Sequence, residues 1–184
     1  MLFRSLVRLP LGPIADFRWG GPWFVIHRAD LQRVLVEACA TMPGIAIRTG
    51  LAVSGFAQSS TGVEVGARAG DQIERISGDF LIGADGLRSL VRAHLGLGAA
   101  DAPVWSGRTA WRALVPARAA PPHALTLAAN LWLGPRAHLV HYPVRSGALV
   151  NVVAIAEDGW RGDDADDLWS VGAEPAEISP SFVN

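Results

Sequence analysis

Apolar side chains in the first part of the chain recur with the period of a helix. They stand at i, i+3, i+4, i+7 and i+8 and form one stripe, at Leu31, Val34, Leu35, Ala38 and Cys39. This spacing predicts an amphipathic helix that follows an extended run at residues 23–27. Asp30 falls in its first turn, where a carboxylate suits the positive end of the helix dipole. Pro43 and Gly44 are expected to end the helix.

Farther along, the pattern changes to the alternation of β-strands. Strands are predicted for IAIRT, AVSGFAQS, GVEVGA and QIERIS, which glycine-containing turns separate (residues 45–49, 52–59, 62–67 and 72–77). The next stretch, DFLIGAD at residues 79–85, is more continuously apolar, as in a strand covered on both faces. A helix of about two turns is expected to follow it, over SLVRAHLGL at residues 89–97.

A second group of strands is predicted beyond a connection at residues 99–103. Its members are RTAWRALVP, LTLAANLWLG, AHLVHYPV and GALVNVVAIAE, and their short loops favour a largely antiparallel sheet. The acidic tail is expected to hold a short helix near residues 165–170. The fold class predicted from these patterns is α/β, in its mixed α+β form.

Composition excludes several classes of protein. The chain has 184 residues, half of them hydrophobic, and a net charge of -1, so it is long enough for one domain or parts of two and gives no sign of nucleic-acid binding. No apolar run is long enough for a membrane span. The N-terminal MLFRSLVRLPLG lacks the apolar core of a targeting peptide, and an ordinary segment is favoured.

A single cysteine, Cys39, excludes an intrachain disulfide and fits a reducing cytoplasm. We expect it to be a plain buried thiol. No metal site is expected either, because His138 and His141 fall on opposite faces of a predicted strand and a third ligand is not evident.

The stretch DFLIGADGLRSLVR has two interpretations. Asp85-Gly86 between apolar runs is a common hairpin turn, but the helical pattern that follows favours a ligand site at the end of a strand. Gly86 would let a ligand approach the backbone, and Ser89 is placed to cap the helix. Asp85 would accept a hydrogen bond from a sugar hydroxyl, while Arg92 and the helix N-terminus would face phosphates.

The strand AHLVHYPV holds the catalytic candidates. Alternation places His138, Val140 and Tyr142 on one face and His141 on the other. A histidine and a tyrosine so spaced would flank a phenol and share its proton, since histidine titrates near neutral pH. The alternative is that this face is core and His138 structural. His141 is interpreted as structural.

GDFLIGADGLRSLVR resembles the D-G motif of the class A flavoprotein monooxygenases, the family of para-hydroxybenzoate hydroxylase and salicylate hydroxylase. The resemblance implies that Asp85, Gly86, Ser89 and Arg92 serve FAD and a nicotinamide co-substrate, NADH or NADPH. HRADLQRVLVEA is similar to a helix of the family whose arginine, here Arg28, reaches the flavin. A surface arginine at a helix start is the alternative.

The later strands resemble the salicylate-hydroxylase branch of that family. In this branch the residues corresponding to His138 and Tyr142 lie in the substrate pocket and help to deprotonate an aromatic substrate. The activity implied is hydroxylation of a small salicylate- or hydroxybenzoate-like compound with O2. Two alternatives stay open: a non-catalytic module that binds an aromatic acid, and another D-G-motif flavoenzyme such as a reductase, halogenase or epoxidase.

The resemblance also implies a domain organisation. Residues 1–27 would be a substrate-domain segment, residues 28–100 part of a Rossmann-like FAD-binding layer, and residues 101–184 a truncated antiparallel β-sheet substrate domain. The family's G-x-G-x-x-G turn and G-D-A-A-H motif are not found in the sequence. We therefore expect a central fragment that is inactive alone, with a homodimer as an open alternative because uncovered apolar surface favours association.

Overall fold

The computed structural model describes residues 5–96, 103–157, 171–178 and 182. Their regular elements are four α-helices, seven β-strands and two short 3₁₀ helices. In chain order these are α1 (Pro13–Trp19), α2 (Arg28–Ala40), β1 (Ala52–Ser59), β2 (Gly62–Ala69), β3 (Gln72–Gly78), α3 (Leu90–His94), β4 (Arg108–Pro116), the 3₁₀ helices Ala117–Ala119 and Pro122–Leu125, β5 (Asn130–Leu133), β6 (Ala137–Val144), β7 (Leu149–Glu157) and α4 (Pro175–Ile178).

The chain divides into two compact units, each with its own sheet. One unit comprises Met1–Leu35 and Gly107–Asn184, and the other is Val36–Ser106. The mixture of helices with antiparallel sheets confirms the predicted α/β (α+β) class. The domain boundaries proposed from sequence stay a prediction.

The sheet of the Val36–Ser106 unit is an antiparallel meander in the order β1-β2-β3. Phe56, Val65 and Ile76 lie opposite one another across it, on the face where Val63 and Ala67 are buried. Helix α3 packs on this face, with the rings of Phe56 and His94 4.1 Å apart. Three of the predicted strands are thus confirmed.

The sheet of the other unit has four strands that are antiparallel, as predicted, and their order is β4-β7-β6-β5. Residues directly opposite in antiparallel strands point to the same side, so the register of the strands assigns every side chain to a face. One face is well covered: Val150, Ala154 and Ala156 are buried there, and His141 is only 5% exposed. The two central strands, β7 and β6, are long and rich in valine and alanine. Each has a neighbouring strand on both sides, so its backbone N–H and C=O groups find hydrogen-bond partners.

Four expectations for local structure were wrong. Residues 45–49 and 79–85 are not strands, and residues 125–129 lie outside β5. A strand needs a partner for its backbone hydrogen bonds, and no described segment pairs with these runs. Phe80 and Ile82 are consequently exposed at 91% and 87%. Helix α3, with five residues, is shorter than predicted.

Helix α2 forms where predicted and ends before Pro43, but the described part of the chain does not bury its apolar stripe. Cys39, expected to be buried, is a half-buried free thiol. The predicted connection at residues 99–103 lies mostly outside the described residues, and the predicted helix near residues 165–170 lies wholly outside them.

Candidate functional site

His138 and Tyr142 lie on the same face of β6, on either side of Val140, as strand alternation predicts. Both side chains are half-buried. The register places Ile155 of β7 opposite His138 and Asn151 opposite Tyr142, so both polar side chains stand in the middle of the four-stranded sheet. A partly open position of this kind leaves the imidazole and the phenol accessible to a ligand.

The surroundings of this pair are apolar. Leu133 lies opposite His138, Leu131 lies opposite Val140, and both leucines are more than half exposed. Leu114 of β4 lies opposite Asn151 on the same face and is 44% exposed. A polar pair among exposed apolar side chains is a composition typical of small-molecule sites.

His141, one residue before Tyr142, faces the opposite side of the sheet and has a different environment. It is buried, and the Trp132 ring lies nearly parallel to its own at 6.1 Å between centroids. Burial, assisted by the nearby His123, holds the pKa of the His141 imidazole below its usual value. Its Nδ1 has no hydrogen-bond partner among the described residues. These features agree with a structural role, as interpreted from the sequence.

An ion pair ties the start of α2 to the loop between β6 and β7. The Arg145 guanidinium donates from Nε and Nη2 to the two carboxylate oxygens of Asp30, at 2.7 Å and 2.8 Å. This hydrogen bonding lowers the pKa of Asp30. Arg28, the flavin candidate, lies exposed in the same first turn of α2. Sequence reasoning missed the pair, because nothing local links residues 115 positions apart.

The Asp85 carboxylate binds the first turn of helix α3. Its carboxylate accepts hydrogen bonds from Ser89 Oγ at 2.6 Å, from the Leu90 amide at 2.7 Å and from the Val91 amide at 3.2 Å. The Ser89 hydroxyl is the largest cause, followed by the Val91 amide, of a lowered Asp85 pKa. Together these hydrogen bonds direct the carboxylate to the start of α3.

Ser89 is the N-cap of α3, as predicted: its Oγ accepts from the Arg92 amide at 2.9 Å. The Arg92 guanidinium donates to the Leu87 carbonyl, which bends this side chain back over the turn. Gly86 has φ +79°, a left-handed conformation that favours glycine, and no described atom lies within 4 Å of where its Cβ would be. Asp85, Gly86, Ser89 and Arg92 therefore lie together in one short segment. We call residues 79–92 the D-G segment.

Gly83 is a residue of this segment whose packing the sequence did not reveal. A Cβ at this position would lie 2.7 Å from Val91 Cβ and within 2.9 Å of both Val91 methyl groups. The absence of a side chain thus allows the extended segment before the D-G turn to lie directly against α3. The available signal was a glycine eight residues before a valine on the following helix.

The candidate residues fall into two groups that lie in different units. His138, Tyr142 and Arg28 belong to one unit, and the D-G residues to the other. Among the residues that the structure describes, no three His, Cys, Asp or Glu side chains are grouped to hold a metal ion. Nor does any helix within the described ranges combine the length and apolarity needed to cross a bilayer.

Comparison with known proteins relates the chain to aromatic hydroxylases. It is 38% identical over 81% of its length to 3-hydroxybenzoate 6-hydroxylase of Klebsiella oxytoca. It is 33% identical over 82% of its length to 3-amino-4-hydroxybenzoate 2-monooxygenase of Streptomyces cremeus. The chain spans 36% of the length of each of these relatives.

A solved structure shares the fold. The chain in a structure described as a salicylate hydroxylase substrate complex matches with a TM-score of 0.64 and 25% identity, covering 85% of this chain and 40% of that one. The sequence profile of the family described as "FAD binding domain" matches residues 17–119. Since this match covers more than half of the 184 residues, the chain belongs to the FAD binding domain family.

Proposed function

We propose that the chain is part of an FAD-dependent monooxygenase that hydroxylates a hydroxybenzoate- or salicylate-like substrate with NAD(P)H and O2. The observation that carries the proposal is the sheet face on which His138 and Tyr142 flank Val140 among exposed leucines. The names of the two curated relatives, both hydroxylases of benzoate derivatives, support the substrate class.

In this proposal His138 and Tyr142 act on the phenol of the substrate. The two side chains approach a hydroxyl group placed over Val140 from opposite directions along β6. The His138 imidazole accepts the phenol proton, and the Tyr142 hydroxyl donates a hydrogen bond to the oxygen that becomes negative. Deprotonation makes the ring richer in electrons and so easier to hydroxylate, and such a group typically contributes about 10²–10⁴-fold to a rate.

The cofactor proposed is FAD, and the residues present fit it. The left-handed Gly86, with open space where a Cβ would project, allows a ligand to approach the backbone closely. Asp85 and Ser89 order the helix that follows, and Arg92 supplies positive charge for a phosphate. Arg28, which belongs to the other unit, is proposed separately as a residue that contacts the flavin. Reduced by NADH or NADPH, FAD supplies the activation of oxygen, which no amino-acid side chain provides.

The remaining parts of the proposal concern organisation. We propose domain boundaries near residues 27 and 100, a cytoplasmic location, which the single cysteine supports, and a homodimer. The exposed Phe80 and Ile82 support an association surface in the D-G segment. Light scattering coupled to size-exclusion chromatography tests the dimer directly.

The decisive experiment is to purify the chain, record its visible spectrum, and titrate it with FAD and with 3-hydroxybenzoate or salicylate. We expect the aromatic acid to bind, which calorimetry measures. Substrate-stimulated NAD(P)H oxidation by this chain would contradict our expectation that it is inactive alone. Binding of the aromatic acid without any flavin binding would favour the alternative of a non-catalytic binding module. Failure of both ligands to bind would contradict the proposal.

The proton-accepting role has a spectroscopic test that does not need turnover. The ultraviolet absorbance of bound 3-hydroxybenzoate reports ionisation of its phenol as the pH is varied. We expect His138→Gln to raise the pH at which the bound phenol ionises, and Tyr142→Phe to raise it less. His123→Gln, which removes an exposed histidine away from this face, is the matched control. An unchanged ionisation curve for His138→Gln would sink the assignment.

A further inference from the structure

The turn between β6 and β7 has an unusual backbone. Arg145 and Ser146 have φ angles of 52° and 54°, and among the described residues no other non-glycine residue has a positive φ. The Gly147 amide donates to the Val144 carbonyl at 3.1 Å, so these two residues are the central pair of a turn with the positive φ angles of type I′. Asparagine, aspartate and glycine usually occupy such positions, because a left-handed conformation crowds the Cβ of other residues.

The side chain of Arg145 makes a contact that can hold this conformation. Its Nε and Nη2 donate to the two carboxylate oxygens of Asp30 at 2.7 Å and 2.8 Å, the bidentate arrangement in which a guanidinium binds a carboxylate most strongly. The Asp30 side chain is only 25% exposed, which limits the weakening of the pair by water. An unfavourable backbone conformation persists where surrounding contacts hold it, and this ion pair is such a contact.

A stiff connection joins the turn to the candidate site. Tyr142 lies three residues before Arg145, and the two residues between them, Pro143 and Val144, are buried and belong to the ladder with β7. The proline ring fixes the φ of Pro143. Closely packed residues transmit a displacement and do not absorb it. The position of the Tyr142 side chain therefore depends on the conformation of the turn.

We propose that Asp30 and Arg145 are positioning residues, whose ion pair holds the left-handed turn and thereby sets the place of the Tyr142 hydroxyl at the substrate phenol. The role of the hydroxyl at the phenol rests on the proposed function, whereas the link from the pair to Tyr142 needs no ligand. Arg28 lies in the same first turn of α2 as Asp30. The pair therefore also fixes the residue proposed for the flavin relative to Tyr142.

Glycine distinguishes a pair that holds the turn from one that only ties it to α2. Glycine adopts a positive φ without strain, so Arg145→Gly should keep the turn although the ion pair is lost. Arg145→Gln removes the same charge but keeps a Cβ, so the turn should relax. Asp30→Ala should act like Arg145→Gln, because it removes the pair from the other side, and it should have no further effect when combined with Arg145→Gly. A simple tie to α2 would be broken equally by all three substitutions.

Tyr142 can be observed directly because it is the single tyrosine of the chain. The full chain produced with fluorotyrosine should give one fluorine NMR resonance without any ligand. We expect Asp30→Ala and Arg145→Gln to shift or split this resonance, and Arg145→Gly to keep it in place. Glu157→Ala is the matched control, since it removes a carboxylate that lies 3.0 Å from Arg108 Nη2 within the sheet. Circular dichroism verifies folding of each variant.

A second measurement follows the effect to the substrate. The ultraviolet absorbance of bound 3-hydroxybenzoate reports the pH at which its phenol ionises. Asp30→Ala and Arg145→Gln should raise this pH by about 0.5–1 unit, which corresponds to a weakened hydrogen bond to the phenolate oxygen. Arg145→Gly and Glu157→Ala should leave it unchanged. In a Tyr142→Phe background Asp30→Ala should have no further effect, because the pair acts through the Tyr142 hydroxyl.

The outcomes separate the inference from the proposed function. An unchanged Tyr142 resonance in Asp30→Ala, or an equal change in Glu157→Ala or in Arg145→Gly, overturns the inference whether or not the aromatic acid binds. If the resonance follows the pair but the ionisation of the bound phenol does not, the positioning role is overturned while the aromatic site stands. If wild type does not bind 3-hydroxybenzoate, the proposed function fails, and the fluorine resonance still decides whether the pair holds Tyr142.

Discussion

His138 and Tyr142 stand on β6, which is hydrogen-bonded to β5 on one side and to β7 on the other. Asp85 and Ser89 lie instead beside a helix of five residues, and their own side chains make the hydrogen bonds that hold its first turn. The sheet thus positions its candidate residues through the backbone. In the D-G segment the candidate side chains themselves maintain the local structure.

This difference has a consequence for function. A side chain that projects from a complete ladder can change without loss of the ladder, so ligand contacts on the His138 face are separable from folding. In the D-G segment, replacing a polar residue also removes a hydrogen bond to the backbone. Effects on a ligand and effects on the local fold should therefore coincide there.

The strongest test of the sheet compares two valines of β7 that face opposite sides. Val150 is buried on the His141 face, and Val153 is half-buried on the His138 face. We expect Val150→Ala to lower the free energy of unfolding by about 2–3 kcal/mol, since two methyl groups and a cavity are involved. Val153→Ala should cost about 1 kcal/mol or less, as measured by urea denaturation. Equal losses of unfolding free energy in the two variants would contradict the assignment of the His141 face as the covered face of the sheet.

The corresponding test of the D-G segment is Gly83→Ala. A Cβ at this position would lie 2.7 Å from Val91 Cβ, so the extended segment or α3 must shift, at a cost of about 1–3 kcal/mol. Gly83 does not have a positive φ, so the cost comes from the contact and not from the backbone. Hydrogen exchange of the α3 amides should accelerate, and Val91→Ala in the same chain should reverse part of the effect.

Gly21→Ala is the matched control for this substitution. Among the described residues, nothing lies within 4 Å of the point where a Cβ at Gly21 would project, and its φ is not positive. Alanine should therefore be tolerated there. Slower or unchanged exchange of α3 in Gly83→Ala would show that the close approach to Val91 is not what holds the segment.

The elements that the sequence predicted well are those whose hydrogen-bond partners are close in the chain. Strands β1 to β3 follow one another through tight turns, and β6 and β7 form a hairpin, so local alternation was sufficient. The Ser89 cap and the shared face of His138 and Tyr142 were predicted for the same reason. The strand predicted at residues 79–85 did not form. An apolar run shows only that a segment would suit a sheet, and it does not show that a partner strand is present.

The parts of the site that could not be predicted depend on distant neighbours. The pair between Asp30 and Arg145 joins residues 115 positions apart, and the burial of His141 depends on Trp132 and His123.

A smaller effect is expected from the buried His141. Burial lowers its pKa in the folded state, so the unfolded chain, with a pKa near 6.5, binds the proton more tightly. Its contribution to stability is therefore constant above about pH 6.5 and is lost as the pH falls below it, by at most about 1.4 kcal/mol per pH unit. His141→Gln should reduce this pH dependence, measured by urea denaturation at several pH values. Val152→Ala, opposite His141 on the same face, should keep it.

The smallest effect concerns the exposed Asp85. Because the Ser89 hydroxyl and the α3 amides lower its pKa in the folded state, its support of α3 is present above the unfolded value of about 3.9 and is lost as the pH falls through the folded value. Asp85→Asn removes the charge and should speed hydrogen exchange at Leu90 and Val91 at neutral pH. Asp79→Asn removes a charge from the same segment and should leave these amides unchanged. If hydrogen exchange at Leu90 and Val91 is unaltered in Asp85→Asn, side-chain hydrogen bonds do not hold the D-G segment. The difference between this segment and the sheet would then disappear.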